Sequence, residues 1–315
     1  MNDDAWAPDD DLRAAAALLS AADPARRAAG YHRLAARTAP GEDALRAWAV
    51  DAVLPRAGRE PDGPALSALV DVLGAAQDER ALPVLLELAA HPDGAVRLAV
   101  AKALPFVGEP VQDSPRVRAL LALSRDAAPA VRDAAVFGLG TLDEAYGPAV
   151  RAALRERLDD EDEEVAEEAV RGLARRQDAS VLPRLIDLLE TYAEPHPLTL
   201  SAAAVLGRPE LLPVLAELAA ERPEDRRIAA ALDACDPARR EERSALAWRL
   251  LEELAVRRPD LDAALAWDRF STDLELRVHH PTEPGGYLLD ALLRHAGHDP
   301  SGAAELVDAD FPPVR

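Results

Sequence analysis

One cysteine, Cys235, and one lysine, Lys102, stand in a chain of 315 residues. A lone cysteine excludes an intramolecular disulfide and gives no sign of an oxidising compartment. Aromatic residues make up only 4%, too few for the Tyr-, Phe- and Thr-rich faces that a β-sandwich packs. Long apolar runs are missing as well, because charges and prolines interrupt each candidate before membrane-spanning length. The opening MNDDAWAPDDD is acidic and carries proline, where a secretory leader would carry basic charge and then an apolar run. Positive charge is in deficit, with 36 Lys and Arg against 57 Asp and Glu and a formal net charge of −21. A phosphate backbone repels such a surface unless the basic residues gather on one face, and anionic membranes are disfavoured for the same reason. The balance suits a protein partner with basic patches, although salt adaptation would give the same composition. A cytoplasmic location follows by elimination.

What is present is small and aliphatic. Hydrophobic residues make up 49% of the chain, mostly Ala, Leu and Val, which let helices approach closely. The organisation is repetitive. Residues 91–100 (HPDGAVRLAV), 126–135 (DAAPAVRDAA) and 160–169 (DEDEEVAEEA) align without gaps, and their valines, Val96, Val131 and Val165, are 35 and 34 residues apart. A leucine-rich helix is predicted before each, over residues 81–90, 117–124 and 149–158. After each valine the apolar positions recur at helical spacing: Val96, Val100, Leu104 and Val107, then Val131, Ala135, Leu139 and Leu142, then Val165, Ala169 and Leu173. Each unit therefore reads as a first helix, a polar turn, a second helix, and a turn onward. Asp93, Asp126 and Asp162 are placed to accept from free N–H groups where the second helix starts. Pro92 and Pro129 suit a turn or a first helical position. Gly108 and Gly140 fall where a left-handed residue commonly closes a helix.

Weaker copies extend in both directions: a helix opened by Asp23-Pro24, then 44–54 with 65–75, 181–191 with 198–206, and 211–220 with 226–234. A long helix is predicted over 239–257, and the period leaves room for roughly seven or eight pairs. The pattern breaks from Ala266. Residues 273–279 (DLELRVH) alternate as a short strand would, a Pro/Gly loop follows through Gly286, and a helix is expected over 287–296.

The motif Asp93-x-x-Val96-Arg97-x-x-Val100 resembles the second helix of the HEAT repeat, in its bacterial form. The resemblance covers roughly residues 11–257 and is strongest over 79–178. It implies an all-α fold, an α-α superhelix of HEAT-like type, with a short divergent C-terminal cap. The organisation expected is an acidic N-terminal tail over 1–10, a HEAT-like array over 11–265 and a capping segment over 266–315. A divergent end is what a stack of repeats needs to cover its last apolar face.

Few residues carry chemistry. His279, His280, His295 and His298 fall within twenty residues, but Gly297 and Pro300 predict that the helix ends there, which takes His295 and His298 off one helical face, so no metal site is assigned and capping residues are expected. Cys235 has acidic neighbours, which disfavour a thiolate, and reads as a small buried hydrophobe. Residues 159–164 (DDEDEE) lack the glycine and length of a calcium loop and read as a solvated helix start. No phosphate-binding glycine loop, nucleophile elbow or HExxH occurs, and no cofactor is expected.

Aligned second helices place Lys102, Phe137 and Arg171 at one position. Two cations there predict an exposed register, and the aromatic between them then reads as a binding anchor, with core filling as the even alternative. The resemblance implies that second helices line a concave surface, so Lys102, Phe137 and Arg171, with Arg97 and Arg132, form the candidate binding face. It also implies inter-repeat hydrogen bonds for Arg97 and Arg132, which is the preferred reading. The function expected is a non-catalytic scaffold or adaptor binding another protein with a basic surface, without nucleic acid or membrane. The alternatives are a HEAT-like enzyme of lyase or DNA glycosylase type, since the family's fold permits catalysis, or an acidic immunity protein neutralising a basic toxin.

Overall fold

The computed structural model describes residues 7–38, 43–108, 114–142, 147–192, 194–267, 274–280 and 285–311. They form seventeen α-helices and three strands, divided into two compact units, Met1–Arg176 and Gln177–Arg315.

The first unit holds five helix pairs: α1 (Asp10–Leu18) with α2 (Pro24–Arg37), α3 (Asp43–Ala57) with α4 (Gly63–Ala76), α5 (Leu82–Leu88) with α6 (Gly94–Ala103), α7 (Pro115–Leu123) with α8 (Pro129–Phe137), and α9 (Pro148–Glu156) with α10 (Glu163–Arg175). Aspartates start most of the second helices. The carboxylates of Asp23, Asp62, Asp93 and Asp162 accept from backbone N–H groups of Ala25, Ala65, Ala95 and Glu164, at 3.0, 3.0, 2.9 and 3.1 Å, which satisfies donors that have no partner inside the helix. Asp126 differs from expectation: the N-cap of α8 is Ala128, and Asp126 sits two residues earlier, accepting from the Ala128 N–H at 2.9 Å. Asp9 caps α1 through Leu12 N at 2.8 Å, so helix begins inside the stretch expected as a tail, of which residues 1–6 lie outside the described residues.

Second helix packs on second helix throughout this unit: α2 on α4, α4 on α6, α6 on α8 and α8 on α10. The repeated stripes lie inside the stack, with Val96, Val100, Leu104, Val107, Val131, Ala135, Leu139, Val165, Ala169 and Leu173 all buried. After Phe137 the backbone widens into a π-helical turn, Gly138–Leu142. Gly140 lies within this turn and is not the left-handed closing residue expected; Gly108 is, at φ +83°. What Gly140 supplies is proximity, because a Cβ there would stand 3.1 Å from the Cα of Gly172 on α10. Carbonyls of the turn and of α10 are met by Arg176, whose Nη1 donates to Gly140 O at 2.8 Å and Gly172 O at 3.0 Å.

The second unit opens with two further pairs, α11 (Leu182–Thr191) with α12 (Pro197–Leu206) and α13 (Leu212–Glu221) with α14 (Arg226–Cys235), followed by the 21-residue α15 (Pro237–Arg257). Among the described residues seven pairs are present, within the seven or eight that the period allows. A three-stranded antiparallel sheet then runs in order β1 (Asp262–Trp267), β2 (Leu274–His279), β3 (Gly285–Leu288), with Leu265 opposite Leu276 and Leu276 opposite Tyr287. The expected strand is β2, although Asp273 lies outside the described residues, as do Pro281 and Pro284 of the expected loop. Tyr287 belongs to β3, so the helix expected from that position starts two residues later, as α16 (Leu289–His295), and α17 (Pro300–Asp310) follows. Leu250 and Leu254 of α15, Leu276 and Val278 of β2, Leu289 and Leu293 of α16, Val307 of α17 and Phe311 share one buried cluster. Arg258 fastens it, bonding Asp260 at 2.8 Å, Asp308 at 3.0 Å and the Phe311 carbonyl at 2.9 Å. Among the described residues no helix is long and apolar enough to cross a membrane.

Candidate functional site

Counting from the N-cap of each second helix in the first unit (Asp23, Asp62, Asp93, Ala128, Asp162) aligns the positions the stack presents in rows. Four residues on come Arg27, Leu66, Arg97, Arg132 and Ala166. The three arginines do the same thing. Arg27 grips Glu60 at 2.8 and 2.6 Å, Arg97 grips Asp126 at 2.6 and 2.9 Å, and Arg132 grips Asp160 at 3.0 and 2.7 Å. Each also donates Nη1 to two carbonyls of its own turn: those of Ala21 and Ala22, of His91 and Pro92, and of Asp126 and Ala127. One guanidinium thereby ties a turn to the next, through the paired donors that only arginine offers. The hydrogen bonds hold the Glu60 and Asp126 carboxyls below the usual range. At Asp160 burial pushes upward, but bonds from Arg132 and the Asp162 N–H outweigh it and the net shift is downward. Arg97 and Arg132 are thus engaged between repeats.

Nine residues on come His32, Asp71, Lys102, Phe137 and Arg171. His32, Asp71 and Lys102 are exposed and Phe137 is half-buried, but Arg171 is only 6% exposed, with Nη1 3.8 Å from Glu168 Oε1. The expected open register therefore closes at its last member, where α10 comes against the π-helical turn through Gly140 and Gly172. Between α4 and α6 the register borders a shallow open groove of about 230 Å³ lined by Asp71, Gln77, Ala99, Lys102 and Phe106. Its floor is tight, since a Cβ on Gly74 would come 2.8 Å from the Ala103 Cβ. Phe106, 44% exposed, was not among the expected residues; the Leu-Pro-Phe sequence that ends the helix was its one signal.

Six residues on come Ala29, Ala68, Ala99, Ala134 and then Glu168. Sequence reading passed over Glu168 as part of an acidic segment, whereas the signal was a glutamate in a row of alanines. Glu168 is 8% exposed, and its Oε2 takes no hydrogen bond. Burial pushes its carboxyl up to about 7, with Arg171 opposing and Asp133 and Glu167 adding to the shift. Asp133, on α8, is also raised, by burial and then by Glu164 and Asp162, with Lys102 opposing.

The remaining candidates have structural surroundings. Cys235 is fully buried, its Sγ 3.5 Å from the Ala203 carbonyl, and burial pushes the thiol up to about 11, as expected of a small core residue. His280 is buried against the Phe311 ring at 5.5 Å, while His279, His295 and His298 are exposed. His298 has φ +61°, outside the helix that ends at His295. Among the described residues no three His, Cys, Asp or Glu side chains are grouped to hold a metal. In the acidic turn Asp160 receives Arg132 and Arg157, and Asp162 caps α10. The second unit carries an open polar cleft of about 590 Å³ at Glu194, His196, Arg222, Arg226 and Arg227, to which sequence reading assigned nothing.

The sequence profile of the family described as HEAT repeats matches residues 50–121 and 117–207. No curated protein sequence matches the chain significantly. Among solved structures, the Escherichia coli protein YibA is similar over 72% of this chain and 81% of its own, at 23% identity and a TM-score of 0.58. The CpcE–CpcF complex of phycocyanin lyase from Nostoc sp. PCC7120 is 17% identical over 73% of this chain and 95% of its own, with a TM-score of 0.45. A designed armadillo repeat protein is 18% identical over 71% of this chain and all of its own, with a TM-score of 0.41. With the profile spanning half its length and helix pairs joined by a recurring arginine clasp, the chain belongs to the HEAT-repeat family.

Proposed function

We propose that the chain is a binding scaffold that receives a basic segment of another protein along the second helices of its first unit. The observation that carries this reading is the single register His32, Asp71, Lys102, Phe137, Arg171, which puts cation, carboxylate and aromatic side chains in one row, two of them, Asp71 and Lys102, lining an open groove. Phe106 in the groove and the half-buried Phe137 on α8 are the anchors, since partly exposed aromatics often dominate contact energies. Lys102 sets the polarity beside Phe106, and Arg171 stands enclosed at the far end of the row. Arg97 and Arg132 serve the same face indirectly, by fixing the spacing of the helices that bear it. A net charge of −21 favours association with a cationic partner and speaks against phosphate backbones.

A photo-crosslinking residue placed at Lys102 should capture a discrete partner from native lysate, and one placed at exposed Ala152 of α9 should not. Phe106→Ala should weaken the capture about thirtyfold or more while shifting the melting temperature little. Equal capture from both positions, or capture that survives Phe106→Ala and Phe137→Ala, removes this reading.

A further inference from the structure

Four of the five second helices in the first unit carry alanine six residues after the cap, and the fifth carries Glu168. The alanines fit a site where helix meets helix: Ala68, Ala99 and Ala134 are buried, while Ala29, on the first of these helices, is exposed. A glutamate there is a liability, because a buried carboxylate needs partners for its oxygens. One oxygen, Oε1, has Arg171 Nη1 at 3.8 Å, too far for a hydrogen bond, and the other, Oε2, has no donor. The side chain is nine-tenths buried. Glu168 shares a helical face with Arg171 and Gly172, and Gly172 is the residue that meets the π-helical turn of the neighbouring helix. The carboxylate therefore lies one helical turn before Arg171, the last member of the row that holds the exposed His32, Asp71 and Lys102.

We propose that Glu168, with Asp133 beside it on α8, is the acceptor for a cationic side chain of the bound polypeptide, an arginine or lysine whose N–H donors reach Oε2. The proposal rests on the scaffold reading above and specifies what the α8–α10 end of the row of second helices recognises. Among the described residues three carboxylates, Asp133, Glu167 and Glu168, meet here, opposed by Arg171 at Glu168 and by Lys102 at Asp133, so the local balance favours a further positive charge. Without a ligand the imbalance is met by protonation, and the Glu168 carboxyl is held up at about 7. A guanidinium or ammonium would replace that proton, supply the missing donors and restore the ionised form. Binding should accordingly release a proton near neutral pH and strengthen as pH rises through 7.

The test uses fluorescein-labelled hexa-arginine and hexalysine, read by anisotropy on the full chain at fixed salt. At pH 8, Glu168→Gln should weaken binding tenfold or more, while Asp159→Asn, which removes an exposed charge from the turn before α10, should change it less than twofold. The parent chain should lose affinity between pH 8 and pH 5.5, and the Glu168→Gln chain should not show that step. If Glu168→Gln behaves like Asp159→Asn, the acceptor assignment is overturned. Should Phe106→Ala and Phe137→Ala still weaken binding in that case, the groove reading stands without it. If none of these variants matters, both fall.

Discussion

At the scale of the residue, Glu168 is where chemistry and stability pull apart. Its carboxyl is raised to about 7 in the fold against an ordinary value near 4.5, so folding favours its protonated form. The stability linked to that proton is complete below about pH 4 and is lost as pH rises through 7. Glu168→Gln should therefore melt above the parent chain at pH 8, by several degrees, and together with it near pH 4. Equal melting at both pH values would mean that the site is wetter than its burial implies. Leu139→Ala tests the opposite kind of residue: fully buried on the repeated stripe, it should cost about 2–5 kcal/mol in chemical denaturation. The two residues also differ in legibility. Leu139 was plain from spacing, because burial of a stripe follows from helical periodicity. Glu168 was hidden, because a carboxylate in an acidic segment looks solvated until the helices beside it are in place. Arg171 misled for the same reason. A cation at a shared register reads as exposed, and its burial appears only once α10 is packed in the fold.

Elements explain which interactions matter. The Arg132–Asp160 clasp has side chains 6% and 3% exposed, whereas the Arg125–Glu156 pair has 50% and 46%. Arg132→Ala should cost about 1–3 kcal/mol, since Asp160 keeps Arg157 but loses two short bonds, and Arg125→Ala should cost less than about 1 kcal/mol. Equal costs would mean that the clasps are decorative. Glu60, Asp126 and Asp160 all have lowered pKa values in the fold, so their contribution is complete above about pH 5 and is lost as pH falls through those lowered values. Gly172→Ala offers a test of sign. An alanine in a helix interior ordinarily gains up to about 1 kcal/mol over glycine, but here a Cβ would stand 2.8 Å from the Gly140 Cα, and a loss of about 1–3 kcal/mol is expected. The helix pairs and their caps could be read from the sequence because each cap is a local bargain between a carboxylate and the next few N–H groups. The sheet could be read only in part. β2 alternates and was found, whereas β1, DAALAW, has the alanine-rich composition of the helices around it and is a strand only because β2 pairs with it.

For the whole molecule, charge sets the expectation. At −21, and with its arginines largely spent in clasps and ion pairs, the chain should show no measurable binding to duplex DNA at physiological salt. Micromolar binding that falls steeply with added salt would reveal a basic groove and reopen the glycosylase reading. Far-ultraviolet circular dichroism should be dominated by helix, with the small sheet contributing little. The clasp has one more consequence, which concerns how such a chain lengthens. The segment from Asp126 to the residue before Asp160 is 34 residues long and carries both halves of the joint: the carboxylate that Arg97 holds and the arginine that holds Asp160. A tandem copy of that segment would offer its own Asp126 to the original Arg132 and its own Arg132 to Asp160, so the duplicated seam would close as soon as it was made. The repeat carrying Leu66 has no such arginine to offer, and a copy of it would leave its seam unfastened. Growth by duplication is thus open at one joint and obstructed at another, and a chain bearing two copies of residues 126–159 should fold with one more helix pair and no redesign.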